Sequence, residues 1–132
     1  MKILWFTNSP CGAAEKLTGK PQIGGGWLIA LSEQLLKSTT IDLHIAFYWG
    51  VAMPAFEYKG ITYHPVLRDG DSGKFGRMIN RYKKAHGDAL SLRELPRLLA
   101  VVSEVRPDLI HIHGSEENFG LIAKEKLPCL VV

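Results

Sequence analysis

The stretch Leu98-Leu99-Ala100-Val101-Val102-Ser103-Glu104-Val105-Arg106-Pro107-Asp108-Leu109-Ile110-His111-Ile112-His113-Gly114 decides how the chain is read. Its first part belongs to a helix over 91–105, because Leu92, Leu95, Leu98, Leu99 and Val102 recur three and four residues apart and so fall on one stripe. Ser91 and Glu94 fit a capping box at the helix start, and Pro96 either kinks the helix or marks its first turn. Pro107 closes it. The period then changes to two: His111 and His113 share one face of a strand over 109–113, and Ile110 and Ile112 share the other.

Further strands and helices can be read outward in both directions. Lys2, Ile3, Leu4, Trp5, Phe6 and Thr7 make a short apolar run suited to a buried strand. A long loop over 8–23 follows, broken by Pro10, Gly12, Gly19 and Pro21. Gly24-Gly25-Gly26 then opens a helix reaching Lys37, with Leu28, Leu31 and Leu35 at helical spacing. Ile41, Leu43, Ile45 and Phe47 alternate with Asp42, His44 and Ala46 in a second strand, and 61–66 forms a third after a loop through Pro54 and Gly60. A basic helical pattern over 72–86 carries Phe75, Met78, Ile79 and Tyr82 on one stripe. After the 109–113 strand come a short helix over 118–126 and the start of a fifth strand at Leu130-Val131-Val132. Strands alternating with helices require crossover connections and a mostly parallel sheet. In such sheets ligands sit beyond the carboxyl ends of the strands, near the switch point beside the first strand. The sequence stops within its last strand, so the chain is expected to be part of a longer protein.

Composition limits the alternatives. A chain of 132 residues is one domain in size, and its 46% hydrophobic and 22% charged content is that of a globular chain able to bury a core. No apolar run approaches the ~20 residues of a membrane-spanning helix, and the N-terminal apolar stretch is too short for a signal peptide. Cys11 and Cys129 form no C-x-x-C pair, which suits unpaired thiols in a reducing compartment and points to the cytoplasm. The net charge of +3 does not imply nucleic-acid binding. It is concentrated in 68–97, where Arg68, Lys74, Arg77, Arg81, Lys83, Lys84, Arg93 and Arg97 outnumber Asp69, Asp71, Asp88 and Glu94.

Three features bear on chemistry. The triple glycine at a helix start either lets a ligand's phosphate approach the free backbone N–H groups or serves the backbone itself, through positive φ angles or close helix–sheet packing. The long loop before it, with Lys16 and Lys20, favours a functional role. No dinucleotide fingerprint is present, since Ile29 stands where its third glycine belongs and the second strand ends in Phe47-Tyr48-Trp49 without a ribose-binding acid. A P-loop is absent too: Pro21 follows Gly19-Lys20 and Phe75 follows Gly73-Lys74. In the H-x-H pair, His113 lies where the strand opens into a loop at the ligand-binding edge, while the deeper His111 is expected to be a hydrogen-bonded structural residue. Glu116, Glu117, His64 and His86 stand at no recognised zinc spacing, so no metal is expected. The basic stripe over 74–84 is either a solvated face whose apolar side packs on the core or a surface for anionic lipid or a lipid-linked acceptor.

Taken in order, the Lys-Ile-Leu-Trp-Phe-Thr strand, the Gly-Gly turn at a helix start and the Pro-Asp-Leu-Ile-His-Ile-His-Gly strand resemble family 4 glycosyltransferases (glycosyl transferase group 1). The likeness runs the length of the chain and implies the GT-B fold, two Rossmann-like domains facing a cleft. The chain would then be the N-terminal, acceptor-side half, a Rossmann-like three-layer sandwich over 1–132. The family implies transfer of a sugar from a nucleotide-sugar donor to a saccharide or lipid-linked acceptor, with retention at the anomeric carbon and without a metal or other cofactor. Gly25 and Gly26 match its glycine turn, which approaches the donor's phosphates or sugar, with Gly24 and Lys20 beside it. His113 matches the histidine that contacts the transferred sugar, and Asn118 occupies the helix start that follows. Two features depart from the pattern: the loop before the glycines is unusually long, and the C-terminal nucleotide-binding domain lies outside this chain. Without groups to stabilise the leaving diphosphate, the domain alone is expected to be inactive. A flavodoxin-like domain that binds a partner without catalysis is the other expectation, since such folds host many functions.

Overall fold

A computed structural model describes residues 1–20, 26–68, 78, 94–114, 118–127 and 130–131. Its elements are β1 (Lys2–Thr7), α1 (Ala13–Thr18), α2 (Gly26–Leu36), β2 (Asp42–Trp49), β3 (Phe56–Tyr58), β4 (Ile61–Leu67), α3 (Leu95–Val105), β5 (Leu109–His113), a 3-10 helix (Asn118–Glu125) and β6 (Leu130–Val131). The strands form a six-stranded sheet in the order β3-β4-β2-β1-β5-β6. All adjacent pairs are parallel except β3 with β4. Counting the parallel strands alone, the order reads 3-2-1-4-5, the doubly wound arrangement in which chain direction across the sheet reverses beside the first strand. It differs from the 2-1-3-4-5 order of flavodoxin-like sheets. The architecture is mixed α/β with a mostly parallel sheet, consistent with a Rossmann-like fold.

The unbroken apolar run of β1 explains why it is central. Leu4, Trp5 and Phe6 are all at or below 1% exposure, so both faces of the strand are covered, as parallel sheets require. Ile3 and Trp5 join a cluster with Leu43, Ile45, Phe47, Tyr63, Ala13 and Leu28. Leu4 and Phe6 join a separate one with Ala46, Val66, Leu98, Ile110, Ile112 and Phe119. Thus α1 and α2 pack with one face of the sheet, and α3 and the 3-10 helix with the other.

Several expectations are corrected in detail. The loop over 8–23 contains α1, capped by Gly19 in the left-handed region (φ 70°) with its N–H on the Glu15 carbonyl at 2.9 Å. The loop before β4 contains β3, joined to β4 by the two-residue turn Lys59-Gly60. Both turn residues have positive φ, 51° and 76°, as a type I′ hairpin demands. The second strand runs on to Trp49, burying Tyr48 as well. On α2, Leu31 is exposed and the small Ser32 is buried instead, its hydroxyl donating to the Ile29 carbonyl at 2.7 Å. Position 32 lies about 40° from Leu28 around the helix, whereas position 31 is about 60° off on the other side.

Of the expected capping box, only Glu94 lies among the described residues. Among the described residues α3 begins at Leu95, with Pro96 in its first turn and no kink, so Glu94 stands at the cap itself and makes no side-chain cap bond. Its carboxylate accepts from Asn118 Nδ2 at 2.6 Å. Arg106 ends α3 in the left-handed region, its N–H on the Val102 carbonyl at 2.9 Å, just before Pro107. Ser91, the basic stripe over 74–84 apart from the exposed Met78, and Cys129 lie outside the described residues. No helix among the described residues is long and apolar enough to cross a membrane.

Candidate functional site

The parallel register sets Thr7 of β1 opposite His113 of β5, at the carboxyl edge where the chain direction reverses. Gly114 follows with φ 98°, turning the chain out of the sheet. His113 shares its face with Trp5 and His111, with ring centroids 4.5 Å and 3.8 Å away. A fourth ring comes from α2: the indole of Trp27 meets the imidazole at 5.4 Å and 63° between planes. Trp27 follows Gly26 directly, so the glycine-led start of α2 and the second histidine of the H-x-H pair meet at one rim.

Trp5 is 1% exposed and fixes the inner side of the imidazole, while Trp27 is 62% exposed and forms the outer side. Burial first, and His111 second, hold the His113 imidazole down to about 4, so it is neutral at physiological pH. A neutral imidazole is a hydrogen-bond partner for hydroxyls, whereas a charged one would anchor phosphate. His113 Nε2 is enclosed and, among the described residues, makes no hydrogen bond. His111 is also held below its ordinary range by burial, and among the described residues it makes ring contacts in place of the hydrogen bond expected for it.

The other proposed site residues distribute unevenly. Among the described residues a side chain added at Gly26 would meet nothing within 4 Å, and its φ is not positive, so neither packing against them nor backbone strain requires glycine there. That leaves open space over the first turn of α2. Gly24 and Gly25 lie outside the described residues. Lys20 is exposed in the turn after α1, its backbone N–H donating to Thr18 Oγ1 at 3.3 Å, and no contact joins its side chain to His113 or Trp27. Asn118 commits an amide hydrogen to Glu94, and the neighbouring Phe119 belongs to the cluster on the opposite face from His113.

Two residues escaped the sequence reading. Trp27 is a large aromatic at the second position of α2, outside the stripe of Leu28, and that misfit with the core face was its signal. Glu94 is 2% exposed, a buried carboxylate where a capping role was expected, and only the tertiary partner Asn118 reveals it. A cleft of about 180 Å³ between α1 and α2, lined by Cys11, Glu15, Ser32, Lys59 and Tyr63 among others, includes neither His113 nor Trp27. Among the described residues no group of three side chains is placed to hold a metal ion.

No protein-family model, curated protein or solved structure matches the chain. What the geometry defines is a mixed α/β domain, built on a mostly parallel sheet, with an aromatic-lined histidine at its switch point.

Proposed function

We propose that the chain is the acceptor-side N-terminal domain of a retaining glycosyltransferase of family 4, a three-layer Rossmann-like half of a GT-B enzyme. It works with a C-terminal domain that carries the nucleotide-sugar, and it is inactive without it. The observation that carries the reading is the meeting of His113 with the glycine-led start of α2 at the carboxyl edge beside β1. In this reading the open space at Gly26 admits the donor's phosphate or sugar, and the neutral imidazole of His113 hydrogen-bonds sugar hydroxyls near the reacting carbon. The basic segment over 74–84 holds the enzyme against anionic lipid on the cytoplasmic face of the membrane, where it extends a saccharide or lipid-linked acceptor.

The full-length protein carrying His113→Ala should fold normally and lose about a hundredfold or more in nucleotide-sugar turnover. Turnover at the parent rate would remove His113 from the site. A gene that continues beyond Val132 into a second α/β domain of roughly 200 residues agrees with this reading, whereas a stop codon there favours a binding module. Sedimentation with vesicles containing anionic lipid at low salt tests the basic segment, and a protein left in the supernatant refutes it.

A further inference from the structure

Single exposed hydrophobic side chains are ordinary, but Trp27 is placed unusually. Its indole packs on the His113 ring at 5.4 Å and 63°, and His113 Nε2 is enclosed and, among the described residues, unpaired, a state that calls for a reason. Among the described residues three rings pack on His113, and they differ in freedom. Trp5 is sealed in the core and His111 sits on the strand, so Trp27, 62% exposed, is the ring able to leave. Leu31, one turn along α2 and 37% exposed, extends the apolar shelf. We propose that Trp27 is the platform on which the apolar face of a pyranose ring stacks, and that its movement to do so uncovers His113 for one of that sugar's hydroxyls. This rests on the sugar-transfer reading and names how the sugar is held.

A pyranose presents a face of C–H groups and an edge of hydroxyls, so it needs an aromatic plane beside a hydrogen-bonding group. Trp27 and His113 supply the two at a centroid separation of 5.4 Å, comparable with the width of a sugar ring. A protein partner fits less well, because Trp27 and Leu31 fall far short of the ~800 Å² per side of a stable interface. A nucleobase would use the indole but has no need of the adjacent imidazole.

The test uses the full-length protein labelled with 5-fluorotryptophan, the Trp27 resonance being assigned by Trp27→Phe. Methyl glucoside, galactoside and mannoside, and separately UMP, are titrated while the fluorine signals are followed. A pyranoside should shift the Trp27 resonance saturably. Trp27→Ala should weaken that binding by about tenfold and Trp27→Phe by much less, since stacking survives in the phenyl ring. In steady-state assays Trp27→Ala should raise KM for the sugar substrate with a smaller change in kcat. Unchanged affinity in Trp27→Ala overturns the platform, as does a Trp27 resonance silent to all three pyranosides or one that answers to UMP alone. If the pyranoside response is present but neither parent nor variant turns over any nucleotide-sugar, the platform stands and the transferase reading falls.

Discussion

His113 is subject to two influences that act in the same direction, burial and a neighbouring imidazole, and both oppose its protonation. The unfolded chain therefore binds a proton near pH 6.5 that the folded chain takes up only near pH 4. Between those values the unfolded state holds more protons, so stability is complete above about 6.5 and declines as pH falls toward 4. His64 adds to the trend, held down by burial and then by His44, against a smaller opposing pull from Glu104. Its Nε2 lies 2.9 Å from His44 Nδ1, and His44 Nε2 stands 3.3 Å from Asp42 Oδ1. Urea midpoints should fall between neutral pH and pH 4, and His113→Asn should flatten that slope; an unchanged slope would mean that the imidazole titrates as if exposed. Gly26→Ala tests the other half of the rim. With open space around the new methyl and a better helix former in place, stability should hold or rise by up to about 1 kcal/mol. If the donor approaches there, its KM should nevertheless rise by roughly tenfold. An alanine enzyme with parental KM would show that nothing approaches Gly26 closely. The type of each residue was legible in the sequence, but its state was not, because desolvation depends on neighbours such as Trp5 that are distant in the chain.

At the scale of elements, the strands were read most closely where an apolar run or an alternation is bounded by polar or breaking residues. β1 and β5 fall on the expected residues, and β4 runs one residue further. The omissions are short: α1 has six residues and β3 three, too few for a period to be seen. Each nevertheless left a trace. Ala13-Ala14-Glu15-Lys16-Leu17 ends at Gly19, a helix-stop signal, and Lys59-Gly60 sits between the strand formers Tyr58 and Ile61. The β3 strand also answers a topological need: β2 and β4 are parallel, so the chain must return between them, and it does so through β3 in place of a helix. An ion pair of 2.9 Å between Lys59 and Glu15 joins this hairpin to α1, and its exposure makes it a small contributor. Gly60→Ala should cost about 1–2 kcal/mol, because φ of 76° is strained for alanine while the nearest atom, Leu36 Cδ2 at 3.8 Å, leaves room. A chemical denaturation midpoint equal to the parent's would argue against the I′ turn.

For the whole molecule, stability rests on two apolar clusters separated by the sheet. Phe119 sits within one of them, fully buried, 5.5 Å from Phe6 and stacked on Tyr48 at 4.5 Å. Phe119→Ala should cost about 3–5 kcal/mol, a large part of the 5–15 kcal/mol typical of a domain. A melting temperature unchanged by that substitution would show that the 3-10 helix adds little to the core. Local patterns in the sequence determined the parallel strands and the longer helices α2 and α3, that the sheet is mostly parallel, and that His111 and His113 share a face. Those properties follow from steric periods of two and 3.6 residues, which a chain carries wherever it goes. Tertiary structure alone decided the strand order, the burial of Glu94 against Asn118, and the contact of Trp27 with His113. Residues 27 and 113 meet because three successive returns, β1 to β2, β2 to β4 and β4 to β5, bring the chain back to the same edge of the sheet, and pairings over such distances are chosen by the burial of the whole core.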